Sequence, residues 1–274
     1  MVSAIRTLLK NNYTVCVFGL DCKADKAVRC YGLAEAIKQA SAVILPLPFS
    51  TDGIKLFSPL YENEIKICDI IECIQKGQII IGGKLSDEFC NKVTAKGCTV
   101  YDYYTSERLT VLNAVPTAEG AVAIAINETP FTLFGSNCAV FGYGRIGKIL
   151  AKMLKSLGAS VTVYARNPDA LTWAEVDGCK AVRLSCAKNE IHNADIIFNT
   201  IPVKIINKDI LDNTKDSCVV IDLASAPGGI DGDYAKSIKR KVIYALSLPG
   251  KIAPDSAGRI IADTIICELK GVSL

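Results

Sequence analysis

The chain has 274 residues, 50% hydrophobic and 22% charged, with 31 basic against 28 acidic side chains for a formal net charge of +3. The length suggests about two domains. So small a basic surplus, with no basic run interleaved with aromatic residues, argues against a nucleic-acid protein.

The first segment, MVSAIRTLLKNNYTV, is amphipathic, is broken at Asn11-Asn12 and lacks the apolar block and cleavage site of a signal peptide. Short apolar strands follow at 14–19 (TVCVFG), 42–48 (AVILPLP), 78–83 (QIIIGG) and 98–103 (CTVYDY), with a helical pattern over SDEFCNKVTAKG between the last two. Continuous apolar strands alternating with helices predict a parallel sheet covered on both faces. The segment NAVPTAEGAVAIAINET reads as a connecting helix, with Pro116 suited to its first turn. Further strands are expected at 194–202 (ADIIFNTIP), 218–225 (CVVIDLAS) and 241–249 (KVIYALSLP). The last segment, PDSAGRIIADTIICELK, has helical periodicity, with Asp255 or Ser256 available as an N-cap. No uninterrupted apolar run reaches about 18 residues, so no membrane-crossing helix is predicted.

These elements divide the chain into an N-terminal α/β domain (1–112), a nucleotide-binding domain with a connecting helix at its start (113–250) and a C-terminal helix (251–274) that packs back on the first domain. Two α/β domains joined by two bridging helices predict a ligand cleft between them. The 12 cysteines are scattered, several of them (Cys16, Cys138, Cys218, Cys267) inside apolar segments. With a single histidine, His192, and no C-x-x-C, zinc spacing is absent and no metal is expected. The thiols read as reduced, small apolar side chains of a cytoplasmic protein.

The most informative stretch is VFGYGRIGKILAKMLKSLGASVTVYARN, a strand, a glycine-rich turn, a helix and a second strand. Gly142-Tyr143-Gly144-Arg145-Ile146-Gly147 matches G-x-G-x-x-G. Gly142 permits the tight turn, Gly144 lets the backbone approach a pyrophosphate, and Gly147 allows close helix–strand packing. The helix that begins there offers unpaired N–H groups and a positive dipole end. The second strand ends at Ala165-Arg166, where an acid would accept hydrogen bonds from the adenosine ribose and repel a 2′-phosphate. Ala165 removes that repulsion, Arg166 offers a planar fork to phosphate and Asn167 a further donor, so NADP is expected over NAD. The alternative is that Arg166 only stacks on adenine. His192 precedes a strand and reads as a surface residue at a helix end, which argues against oxidation of an alcohol through a histidine base. Aromatisation of a dihydropyridine would need less help from the protein.

The segments NAVPTAEGAVAIAI (113–126), GSNCAVFGYGRIG (135–147), FNTIP (198–202), IDLASAPGG (221–229) and LPGKIAPDSAGRII (248–261), with VILPLPFST (43–51), make the chain resemble the dipicolinate synthase A-subunit family of spore-forming bacteria. The resemblance implies a Rossmann-type domain with a smaller flavodoxin-like domain before it. It also implies NADP-dependent oxidation of dihydrodipicolinate, a small dicarboxylate, to dipicolinate, together with the dipicolinate synthase B-subunit, in the cytoplasm of the mother cell during sporulation. A homodimer is left open. It suggests that Thr200, Ile201 and Pro202 lie along the coenzyme, and that Asp222, Ala224 and Ser225 approach the nicotinamide. Asp222 could instead be an intrachain cap, and Gly228-Gly229 either a backbone approach to the cleft or a plain turn.

For the dianionic substrate the candidates are Thr117 and Ser256, as openers of the two bridging helices, Lys251 as the local cation, and Ser50 and Thr51 in the first domain. Glu119, awkward beside a dianion, is expected to cap its helix. Ser225, Asp222 and Lys251 are the candidate catalytic set. The chain departs from the family pattern in two places: no strand precedes the first helix, so that 14–19 must pair differently or leave a gap, and Ala226 stands where a basic residue is expected. Two other functions stay open, an NADP-dependent dehydrogenase of another small carboxylate and a non-catalytic nucleotide-binding scaffold.

Overall fold

The computed structural model describes residues 1–20 and 26–271. Cys22 and the end of the C-terminal segment, 272–274, lie outside the described residues. Two compact units result: Met1–Leu112 with Pro254–Leu274, and Asn113–Ala253.

The first unit contains α1 (Val2–Lys10), β1 (Cys16–Val17), β2 (Val28–Arg29), α2 (Leu33–Lys38), β3 (Ala42–Ile44), α3 (Ile67–Cys73), β4 (Ile79–Gly82), α4 (Asp87–Ala95) and β5 (Thr99–Asp102), before α5 (Glu107–Glu128) carries the chain across the division between units. β3, β4 and β5 form a parallel three-stranded sheet. Its core joins Ile70, Ile74, Ile80, Phe89 and Val93, with the rings of Phe49 and Phe89 4.5 Å apart. The expected strand at 14–19 shrinks to two residues, which pair in parallel with β2 in a separate ladder. Val15 and Val17 use their carbonyls on Val28 and Cys30, so the backbone groups of Cys16 point the other way. Between β1 and β3 lies an apolar cavity of about 550 Å³, lined by Leu8, Val15, Val17, Val43, Leu45 and Leu269 among others. Altered pairing and a gap thus occur together. The unit also contains the C-terminal helix, α12 (Pro254–Lys270). Ala4 and Leu8 of α1 share a core with Ile261, Ala262 and Ile265. Gly258 lets the two helices close, since a Cβ there would stand 2.6 Å from that of Ser3.

The second unit holds β6 (Asn137–Phe141), α6 (Arg145–Ser156), β7 (Ser160–Ala165), α7 (Pro168–Val176), β8 (Lys180–Arg183), α8 (Ala187–Glu190), β9 (Ile196–Asn199), α9 (Lys208–Asp212), β10 (Val219–Asp222), α10 (Gly232–Ser237), β11 (Lys241–Tyr244) and α11 (Leu248–Ile252). All six strands are parallel, in the order β11-β10-β9-β6-β7-β8, the doubly wound order of two mononucleotide-binding halves. Alternate residues feed opposite faces. Cys138, Val140, Ile196, Phe198, Val219 and Ile221 enter one core. Ala139, Phe141, Ile197 and Val220 enter the other. Burial on both faces is why these strands read as unbroken apolar runs. It also pushes the thiols of Cys138 and Cys218 up to about 11 and about 12. All described cysteines are free, and Cys68 and Cys186, unlike the expected buried thiols, are exposed.

Three sequence expectations are corrected. The strand expected over 241–249 stops at Tyr244, and Leu248–Ile252 is a short helix opened by Pro249. Pro116 does not open a helix: α5 begins upstream of it, at Glu107, with Pro116 inside. The second passage between units falls after Ala253 rather than after residue 250. α5 has the length and hydropathy to cross a membrane, although Asn113, Thr117 and Glu119 interrupt its apolar run. Its Ala118, Ala121 and Ala125 are seated in the core of the second unit.

Candidate functional site

The order of the strands reverses between β6 and β9, and the crevice beyond their carboxyl ends is where an open parallel sheet binds ligands. Both strands turn there in step. The Thr200 amide and hydroxyl both donate to the Phe141 carbonyl, at 2.9 and 2.8 Å, and the Gly142 amide donates to the Tyr164 carbonyl at 2.9 Å.

Each glycine of the turn has its own steric reason. Gly142 has φ +94°, and a Cβ there would run into Thr200 Oγ1 and lie 2.9 Å from Ile201 Cγ1. A Cβ on Gly147 would collide with the Gly142 carbonyl, so the helix can pack on the turn only without one. At Gly144 a Cβ would meet nothing within 4 Å, so the backbone faces open space there. α6 starts at the next residue with no side-chain cap from Gly144, so the N–H groups of Ile146 and Gly147 lie in the first turn, where a helix receives an anion. This cradle fits a dinucleotide pyrophosphate.

Tyr143 differs from its expected role. Its side chain is buried at 5% exposure and turns away from the open side, its hydroxyl donating to Asp177 Oδ2 at 2.6 Å. Only its backbone can serve a phosphate.

Ala165 ends β7, 4% exposed, and Arg166 and Asn167 beyond it are exposed. Asn167 caps α7, its Oδ1 accepting from the Asp169 amide at 2.8 Å, which leaves only its Nδ2 for a ligand. Pro168 at the first position completes the helix start.

Past β9 and β10 the structure holds a buried polar network that the sequence reading missed. Asn199 and Asp222 are register partners on neighbouring strands, 0% and 1% exposed. Asn199 Nδ2 donates to Asp222 Oδ1 at 2.8 Å and to the Ile201 carbonyl at 3.0 Å, and its Oδ1 accepts from the Ile201 amide. Asp222 also accepts from the amides of Ala224 at 3.1 Å and Gly229 at 3.0 Å. The two glycines are required by this network: a Cβ on Gly228 would stand 2.9 Å from Asp222 Oδ2, and one on Gly229 would overlap Asn199 Nδ2. Asp222 is therefore the intrachain cap, not a group that can touch substrate: both its oxygens are committed and it has no accessible face. Ala224 is buried beside it, while Ser225, Ala226 and Pro227 are exposed at the loop tip. The available signal was a polar residue closing each of two apolar strands, IIFN and VVID.

The other candidates separate. Thr117 is not at a helix start: it lies deep in α5, 9% exposed, its hydroxyl donating to the Asn113 carbonyl at 2.8 Å, so the helix dipole gives it no anion affinity. Glu119, in mid-helix and exposed, caps nothing. Asn113 holds a buried Oδ1 with no hydrogen-bond partner, a polar group of the kind that a water or ligand satisfies. Lys251 is exposed on α11. Ser256 lies in the first turn of α12, near its positive end. Ser50 donates to the Lys55 carbonyl at 2.6 Å, and the nearby Asp52 accepts from the amides of Ile54 at 2.8 Å and Lys55 at 2.9 Å. Those amides hold the Asp52 carboxyl below its usual value. They are also the donors that a substrate carboxylate would need beside Ser50 and Thr51, and a carboxylate already occupies them. His192 sits exposed in the short turn 191–193, as expected. Among the described residues no group of three His, Cys, Asp or Glu side chains could hold a metal ion.

A six-stranded doubly wound sheet with a glycine cradle at its reversal point defines a dinucleotide-binding protein of the Rossmann class. Residues 119–247 match the family described as D-isomer specific 2-hydroxyacid dehydrogenase, NAD binding domain, and residues 1–104 match the N-terminal domain of the dipicolinate synthase A-subunit. The dipicolinate synthase A-subunit of Bacillus subtilis (strain 168) is 30% identical over 267 residues, covering 95% of this chain and 89% of the relative. The crystal structure of the dipicolinate synthase A-subunit from Bacillus halodurans superposes with a TM-score of 0.89 at 28% identity, over 98% of this chain and 93% of that one. The corresponding crystal structure from Bacillus subtilis gives 0.86 at 29% identity, over 98% and 92%. The chain belongs to the dipicolinate synthase A-subunit family. It is an oxidoreductase-type protein with a nicotinamide dinucleotide as cofactor.

Proposed function

We propose that the chain is an NADP-dependent component of dipicolinate synthase that oxidises dihydrodipicolinate to dipicolinate in concert with the B-subunit, in the cytoplasm of a sporulating mother cell. The observation that carries the choice of coenzyme is the end of β7, where a buried Ala165 is followed by an exposed Arg166. No carboxylate stands there to repel a 2′-phosphate, and the guanidinium offers it a two-pronged donor. The backbone of Gly142 to Gly147 would hold the pyrophosphate, and Arg166 with Asn167 Nδ2 would hold the 2′-phosphate. Thr200, Ile201 and Pro202 would line the path of the coenzyme, with Ala224 buried behind it. NADP, when bound, would supply the hydride acceptor; the dihydropyridine ring would give a hydride to it and a proton to solvent and so become aromatic. The Asn199–Asp222 network fixes the two loops that flank this path, and so acts on the reaction by position. Ser225 and Lys251 are the exposed side chains left for the substrate side of the second unit, with Ser256 a separate anion candidate at the start of α12.

The test mixes the chain with its cognate B-subunit, NADP and dihydrodipicolinate and follows the ultraviolet absorbance of dipicolinate. Product that requires both proteins and NADP is the expected result. Turnover of hydroxy acids by the chain alone would move the assignment to another carboxylate dehydrogenase, and coenzyme binding without turnover under any pairing would leave a scaffold.

A further inference from the structure

The first half of the glycine turn is tied to β7 by the Gly142 amide, which donates to the Tyr164 carbonyl. Gly142 and Gly144 carry no side chain, and Gly144 borders open space. Tyr143, between them, is 5% exposed, and its hydroxyl donates to Asp177 Oδ2 at 2.6 Å. Asp177 caps the C-terminus of α7, its amide donating to the Trp173 carbonyl at 2.9 Å. Its own carbonyl accepts from Lys155, near the far end of α6. A single residue thus holds the segment just before α6 through its side chain and the end of α6 through its backbone. Lys148, in the first turn of α6, lies 6.0 Å from the Tyr143 ring and 5.9 Å from that of Trp173. The anchor therefore runs from the turn to α7, the helix whose opposite end is capped by Asn167 beside Arg166.

We propose that the Tyr143–Asp177 hydrogen bond is a positioning device that fixes the pyrophosphate turn against α7 and so sets the affinity for the coenzyme. The Tyr143 side chain is buried and committed to Asp177, so it acts through the backbone of the turn. This inference rests on the coenzyme reading given above. It predicts a pattern distinct from that of a selectivity residue. The pyrophosphate is common to both coenzymes, so loosening the turn weakens both alike, whereas losing Arg166 acts on the 2′-phosphate alone.

Equilibrium titration with NADPH and with NADH, followed by nicotinamide fluorescence, tests this on the full chain. Tyr143→Phe keeps the ring and its packing and removes the donor; Asp177→Ala removes the acceptor from an exposed position. Each is expected to raise Kd for both coenzymes by the same factor, about three- to tenfold, the weight of one lost hydrogen bond. Asp177→Asn, which keeps an acceptor oxygen, restores most of the affinity. The double variant Tyr143→Phe/Asp177→Ala is no worse than either single, because both remove one interaction. A purely structural bond would lower the thermal midpoint and leave Kd of the folded protein unchanged; that result overturns the proposal. So does an effect confined to NADPH. A wild-type chain that takes up neither coenzyme overturns the underlying coenzyme reading instead.

Discussion

Arg166 and Asp195 show how single side chains set measurable properties of this unit. Arg166 is exposed, so its removal disturbs no core, and Ala165 keeps the strand end uncharged. Arg166→Ala is expected to raise Kd for NADPH about 10- to 100-fold, the range of a lost hydrogen-bonded charge pair, while Kd for NADH moves less than about threefold. Parallel titrations of the two coenzymes check this, and an unchanged preference would mean that the guanidinium only stacks. Asp195 stands at the opposite end of the sheet. Burial pushes its carboxyl up, but Lys215 Nζ at 2.6 Å and the Asn137 amide at 2.8 Å outweigh that and hold it below the ordinary value. A group depressed in the folded state stabilises above its unfolded pKa, and the contribution is lost as pH falls through the lower folded value. Stability should therefore decline from about pH 4 downward, and Asp195→Asn should flatten that part of a urea-midpoint profile.

At the scale of elements, the link from β6 through the turn to α6 is held by close steric fits at Gly142 and Gly147. Gly147→Ala would drive a methyl into the Gly142 carbonyl. The helix must back away from the strand, at about 1–3 kcal/mol, and the N–H groups lose their aim. Coenzyme binding should disappear in a variant that still folds, as judged by titration beside circular dichroism; retained affinity would show that the cradle is not the anion site. The strand–turn–helix order was legible in the sequence from the glycine spacing, and Gly147 answers a local demand, the Gly142 carbonyl, whereas Gly142 makes room for Thr200 and Ile201, which only the fold brings there. The start of α5 was not legible. Pro116 carries the residue type of a first turn, yet the helix opens where Ser106 Oγ accepts from the Leu109 amide at 3.3 Å, a capping signal outweighed by the proline. Nor was the Asn199–Asp222 pair legible as a pair. Each residue ends its own strand in the sequence, and only the register of β9 against β10 brings them together. Periodicity reveals which face a residue takes, but partners across a sheet depend on alignment that the local pattern does not contain.

For the whole molecule, the cores follow the division of the chain. Each described buried cluster lies within one unit: two on the faces of the six-stranded sheet and two around β3–β5 and the α1–α12 pair. The anion cradle belongs entirely to Asn113–Ala253. A ligand that binds only folded protein stabilises the structure that forms its site, by about 2.7 kcal/mol at a concentration 100 times Kd. NADP alone should therefore slow hydrogen exchange first in the amides of β6, the glycine turn and β9, where opening destroys the site. The β1–β2 ladder, two residues long beside an apolar cavity, should exchange fast with or without coenzyme, and β4, paired on both edges, should exchange slowly in both. Exchange followed by mass spectrometry on the full chain separates these segments. Protection that appears in β3–β5 and not around Gly142 would place the coenzyme outside the crevice between β6 and β9, and with it would go the argument from strand order to ligand.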